Sequence, residues 1–195
     1  MRRLLLMQRS QRRGAGPRVC FLDVEATSLE ADVGTIVGAG IMEDDGKFSY
    51  ISVDRPELEK NKLEDLLKKL EQYHIVITWN GKSFDIPFLI SRAIKHNLKA
   101  ESLLSIYHLD MAELVRNNLK LSRTDLFHVS KFLGIKKDVK TLGQDVPTLY
   151  VKAMKGDKVA LRIIKNHCKD DLNVLRLVFS KLRPLVKALK PELPI

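Results

Sequence analysis

The chain has 195 residues, 45% of them hydrophobic, and a formal net charge of +10. That length suits one well-packed domain, and no apolar run approaches the length of a bilayer span, so no membrane partner is expected. The cationic surplus asks for an anionic partner, nucleic acid first.

The opening stretch MRRLLLMQRSQRRGAGPR (residues 1–18) carries many arginines and no acid. It reads as a flexible basic arm of the kind that grips phosphates. A mitochondrial targeting segment shares the composition, and an unstructured leader is the plain alternative. The expected organisation is therefore an arm over 1–18, a folded domain over 19–184 and a tail over 185–195.

VCFLDVEA (19–26) reads as the first strand and GTIVGAGIME (34–43) as the second, with glycines that permit close backbone packing. Asp45-Gly46 is a hairpin signal, and KFSYISVD (47–54) alternates as a third strand. The chain thus opens as an antiparallel meander. Pro56 begins a helix whose Leu63, Leu66, Leu67 and Leu70 recur at helical spacing. HIVIT (74–78) is a short buried strand, WNGKSFD a loop, and 85–97 a helix with Pro87 in its first turn. YHLDM (107–111) forms the last strand and leads into a helix ending near Asn118. Ser122 or Thr124 caps the next helix, which stops at Gly134. Helices over 147–155 and 157–183 follow, the second with a break near Asn166. This order predicts an α/β fold: a mixed central sheet flanked by helices, its first three strands antiparallel and the first strand central.

Cys20 and Cys168 are the only cysteines, and neither belongs to a C-x-x-C pattern. A disulfide framework or structural zinc site is not expected. Two buried free thiols and a reducing, cytoplasmic compartment fit.

Three stretches carry chemistry. In FLDVEATSL, Asp23 and Glu25 are two apart in a strand and project to one face. Two carboxylates a few ångströms apart repel by roughly 4 kcal/mol at an effective dielectric of 20, unless one is protonated or a cation lies between them. Oxygen donors of this kind suit magnesium or manganese. In TWNGKSFDIPFL, Asp85 follows a strand and a tight Asn80-Gly81 turn and starts a helix, where simple capping would also explain it. In NHCKDDLNVL, His167 and Asp171 are four apart and share a helix face whose apolar stripe continues through Leu175, Val178 and Leu182. His74, His96, His108 and His128 lack acids at a useful spacing and read as surface or structural residues, and Asp110 reads as a helix cap.

Together, in order, these stretches resemble the three motifs of the DEDD superfamily of 3′-5′ exonucleases on the RNase H-like fold, and within it the YprB-like branch. YHLDMAELVR and DVPTLYVKAMKGD also look like family segments, so the resemblance runs over about 19–182. It implies that Asp23, Glu25, Asp85 and Asp171 hold two divalent ions, Mg²⁺ or Mn²⁺. Asp23 would bridge both, Glu25 and Asp171 would complete one site, and Asp85 would reach the other. Many members carry a tyrosine four residues before the last acid, and here that place is His167, which the resemblance casts as the residue that orients water or takes its proton. Thr27, Trp79, Asn80 and Lys82 are candidate nucleic-acid contacts, Lys82 to phosphate and Trp79 to a base.

The expected activity is metal-dependent removal of nucleotides from the 3′ end of single strands, DNA favoured over RNA. An RNase H-like endonuclease on structured nucleic acid and a non-catalytic binding module are the alternatives. A homo-oligomer would be compatible with a small domain of this kind.

Overall fold

The computed structural model describes residues 16–136 and 143–195. The basic arm therefore lies outside the described residues as far as residue 15. Arg18 is inside them and anchored: its N–H donates to His74 Nδ1 at 3.0 Å, and its guanidinium lies 4.8 Å from the Tyr73 ring centroid.

Five strands form one mixed sheet in the order β3-β2-β1-β4-β5. They are β1 (Val19–Ala26), β2 (Ile36–Glu43), β3 (Phe48–Ser52), β4 (Ile75–Thr78) and β5 (Tyr107–Asp110). β1 pairs antiparallel with β2 and parallel with β4, so it is the central strand, as the sequence predicts. The parallel ladder stops at Phe21↔Ile77, while β1 runs on to Ala26 beside β2. The free end of β1, which carries Asp23 and Glu25, thus opens at the carboxyl edge of the sheet, where strand direction reverses. Such switch points are where open α/β sheets place their sites.

The alternation in β1 sets the two faces. Cys20, Leu22 and Val24 pack against α1 (Glu59–Leu70), through Leu63, Leu66, Leu67 and Leu70, and against α2 (Asp85–Lys95), through Phe88, Leu89 and Ala93. Phe21 points to the opposite layer, which holds α4 (Met111–Asn118) and α7 (Lys158–Leu189). There Phe21 and Phe179 meet edge to face with centroids 5.6 Å apart, an arrangement worth about 1 kcal/mol beyond the area buried. The short α3 (Glu101–Ser105) precedes β5, and α6 (Val146–Met154) packs Val146 and Tyr150 against Ile164 and Val37.

Several boundaries differ from the sequence reading, for local reasons. Pro56–Leu58 is a 3₁₀ turn and α1 proper begins at Glu59. The cap of α5 (Leu126–Phe132) is Asp125, not Ser122 or Thr124: its carboxylate accepts from His128 N at 3.1 Å, three residues on, the reach a cap needs. α7 does not break at Asn166, because Ile164, His167 and Cys168 are all buried on its sheet-facing side. It also continues past Pro184 to Leu189. A proline forfeits one helical hydrogen bond, but burial of Leu182 and Val186 holds the last turns in place. Among the described residues no helix is long and apolar enough to cross a membrane.

Candidate metal centre and its surroundings

β1 delivers Asp23 and Glu25 to the face covered by α7. Asp23 is partly open, whereas Glu25 is only 5% exposed. α7 crosses this face closely enough to seat the Cys168 thiol against the strands, with Sγ 3.8 Å from the Asp23 carbonyl oxygen. Gly40 makes that approach possible. It pairs with Asp23 in the neighbouring strand, and a Cβ there would overlap Cys168 Sγ and Leu172 Cδ1. Gly38, opposite Glu25, leaves comparable room for the Tyr50 hydroxyl.

The same helix brings His167 and Asp171 over Glu25. His167 Nε2 is 3.9 Å from Glu25 Oε1, and its Nδ1 is 3.8 Å from Asp171 Oδ1. The imidazole is 4% exposed and stands between the two carboxylates.

Asp85 arrives from the other layer. As the first residue of α2 it is buried, and its Oδ1 accepts the Val24 N–H at 2.9 Å. Burial pushes its pKa well above the ordinary carboxylate range, and the negative charge of Asp23 adds to the shift. The same acids act on the Cys168 thiol, pushed well up first by burial and then by Asp23 and Glu25. Like charges crowd one desolvated place, and a cation is the economical remedy. The donor set also fits: hard carboxylate oxygens on a partly open edge suit divalent ions that keep some water. Of the four acids expected to act together, Asp23 and Glu25 share the end of β1, Asp171 reaches it through His167, and Asp85 stands near enough to Asp23 to feel its charge.

The residues expected to touch nucleic acid have these surroundings. Thr27 closes the loop after β1: its N–H donates to Thr35 O, and its Oγ1 accepts from Thr35 N, both at 3.0 Å. Trp79 packs partly buried against the α7 layer. Asn80 adopts φ 65° and donates its N–H to Asp110 Oδ1 at 3.0 Å. The Lys82 ammonium pairs with Glu113, and its N–H donates to Asp110 Oδ2 at 3.0 Å. Asp110 therefore does more than cap α4. It gathers the loop between β4 and α2, a role that the capping signal in LDMAE could not reveal.

Two of the histidines expected to lack acids do have them. His96 Nε2 is 2.8 Å from Glu59 Oε2, and His128 Nδ1 is 2.8 Å from Asp125 Oδ1. The first pairing crosses 37 residues. The second lies one helical turn apart and was visible in the sequence. Glu59 also receives the Arg92 guanidinium, with Nε at 2.8 Å, and the Ile36 N–H at 2.8 Å. Arg92 reaches on to Ala31 O at 2.8 Å. This buried clamp ties α2 to the loop that follows Glu25.

The family model described as the RNase_H superfamily matches residues 20–183. No curated protein sequence matches the chain. Among solved structures, the family B DNA polymerase from the hyperthermophilic archaeon Pyrobaculum calidifontis superposes with a TM-score of 0.76 at 15% identity. The match covers 88% of this chain and 25% of that one, so the chain spans about a quarter of the polymerase it resembles in fold. With the five-stranded mixed sheet in place and the family match running through all but its two ends, the chain belongs to the RNase_H superfamily.

Proposed function

We propose that the protein is a divalent-metal-dependent 3′-5′ exonuclease of the DEDD type, YprB-like, that hydrolyses single-stranded nucleic acid, DNA in preference to RNA. The observation that supports this reading is that His167 stands between Glu25 of β1 and Asp171 of α7, while Asp85 at the head of α2 feels the charge of Asp23.

Asp23, Glu25 and Asp171 would hold one ion, with Asp23 and Asp85 addressing a second. Mg²⁺ or Mn²⁺ bound there would acidify the attacking water and offset charge on the phosphate and the leaving oxygen. His167 orients that water or takes its proton, for which an imidazole is suited near neutrality. Glu25 and Asp171 fix the ring from either side. Asp85 holds the end of β1 through Val24, so the two carboxylates of that strand keep their spacing. The net charge of +10 draws the polyanion toward an otherwise acidic centre. Trp79, Asn80 and Lys82 remain candidate contacts to the strand, with Thr27 on the loop after β1, and the buried free Cys20 and Cys168 fit a reducing, cytoplasmic setting.

The test is incubation of the purified chain with 5′-labelled single-stranded DNA and RNA, with Mg²⁺ or Mn²⁺ or a chelator, beside Asp23→Ala. A metal-dependent ladder shortening from the 3′ end and absent in the variant is expected. Discrete internal fragments would instead mark an endonuclease. Intact substrate with binding retained would mark a binding module.

A further inference from the structure

We propose that Cys168, with Asp23 and Glu25, forms a mixed sulfur–oxygen site that takes a thiophilic divalent ion, zinc or cadmium, in place of the hard ion of the proposed reaction. One ligand atom from each of these three residues lies within 4.8 Å of the other two. The cysteine is not an isolated thiol. Glu25 is 5% exposed and Cys168 fully buried, so both face one enclosed floor. Gly40 supplies the recess that lets Sγ reach that floor. His167 stands beside this set, its Nε2 3.9 Å from Glu25 Oε1.

Donor softness separates the ions. Magnesium takes oxygens and water and would leave the sulfur alone. Zinc accepts sulfur, nitrogen and oxygen in tetrahedral mixtures, at about 2.0 to 2.3 Å from each donor. Donors around such an ion stand roughly 3.3 to 3.8 Å apart by that geometry, so the three need contract only modestly. Cadmium follows the same preference more strongly, and the affinity order of divalent ions favours zinc over manganese. On binding, a metal–sulfur bond forms, the S–H bond breaks and the proton leaves to solvent, with no change of oxidation state. An ion drawn to this floor occupies Asp23 and Glu25, so zinc and cadmium would inhibit the nuclease. That consequence rests on the proposed function; the binding itself does not.

The experiment is an ultraviolet titration of the full chain with cadmium chloride, without nucleic acid, reading the cadmium–thiolate charge-transfer band. A band saturating at one ion per chain is expected in the unsubstituted protein and in Cys20→Ala, whose lost thiol lies in the other layer. Cys168→Ser should abolish the band, and Asp23→Asn should weaken binding at least tenfold. No band at all, a band that survives Cys168→Ser, or one lost with Cys20 overturns the site. Should Cys168→Ser fail to fold, cadmium-113 NMR of the unsubstituted chain decides, because an all-oxygen shift overturns the proposal and a shift for one sulfur donor upholds it. A chain that shows the band but cleaves nothing would sink the nuclease reading and leave this one standing; an active chain without the band would do the reverse.

Discussion

The Val24 N–H donates to Asp85 Oδ1 at 2.9 Å. The parallel partner strand has already ended, its last paired residue being Ile77 opposite Phe21. A carboxylate from the head of α2 thus satisfies the backbone that a longer β4 would have satisfied. One side chain finishes the sheet and adds a negative charge to the site.

That double duty has a measurable cost. Burial, then the charge of Asp23, hold the Asp85 pKa well up, so its ionised form opposes folding near neutrality when no cation is present. Asp85→Asn keeps an oxygen for Val24 and removes the charge. The metal-free variant is expected to be more stable than the parent and to melt at a higher temperature. The rise in melting temperature on adding Mn²⁺ should shrink, and cleavage should fall at least 100-fold. Thermal melts with and without Mn²⁺ test this, and a destabilised metal-free variant would count against it.

Gly40 is required by the approach of α7 and not by any turn. Gly40→Ala places a methyl against Cys168 Sγ and Leu172 Cδ1. Overpacking of this kind costs about 1 to 3 kcal/mol. Because His167 and Asp171 ride on the same helix, activity should fall with stability. Urea unfolding together with cleavage assays under folded conditions checks both. Unchanged activity in a folded variant would mean that the helix position is not critical.

Glu59 gives a pH dependence. Its burial alone would raise the pKa, but the Arg92 hydrogen bonds, the Ile36 N–H and His96 outweigh that and lower it from 4.5 to about 2. A carboxylate depressed in the folded state contributes stability above its unfolded pKa and loses it as pH falls through the folded one. Stability should therefore decline by about 3 kcal/mol between pH 5 and pH 2 through this residue. Glu59→Gln leaves Arg92 buried without its counter-ion and should cost about 3 to 5 kcal/mol at neutral pH. Its acid slope should be shallower than that of the parent. Equal slopes in urea titrations across this range would refute the assignment.

The sequence carried the strands and the acids because both are local patterns. Period-two alternation placed β1, and Asp23 and Glu25 had to share its face. Helical spacing put His167 and Asp171 together on α7. What it did not carry are contacts that fold topology alone creates. Glu59 meets Arg92 across 33 residues, and Lys82 meets Glu113 across 31. No spacing rule links such pairs. Near Asp125 the difficulty was degeneracy, since Ser122, Thr124 and Asp125 are all good caps and only the geometry toward His128 chooses. The sequence reading ends the last helix at 183, yet the buried side of α7 carries it through Pro184 to Leu189.

Asp110 supplies the last prediction. Its Oδ1 accepts from Asn80 N and Ala112 N at 3.0 Å and from Glu113 N at 3.2 Å, and its Oδ2 accepts from Lys82 N at 3.0 Å. Two of these donors begin α4, and the other two hold the loop that delivers Asp85. Asn80 sits at φ 65°, a left-handed conformation that asparagine adopts more readily than most residues, and its N–H is one of those Asp110 holds. Asp110→Ala strands these N–H groups and removes a cap, a loss of about 2 to 4 kcal/mol. Assayed well below its melting temperature, the variant should cleave about 10- to 100-fold more slowly, because small displacements of a reacting group carry costs of that order. Mn²⁺ binding measured by calorimetry should weaken far less than in Asp23→Ala, since Asp110 is not among the carboxylates that converge on β1. Metal affinity lost as completely as in Asp23→Ala would instead make Asp110 a ligand, and full activity in a folded variant would show that the loop keeps its place without it.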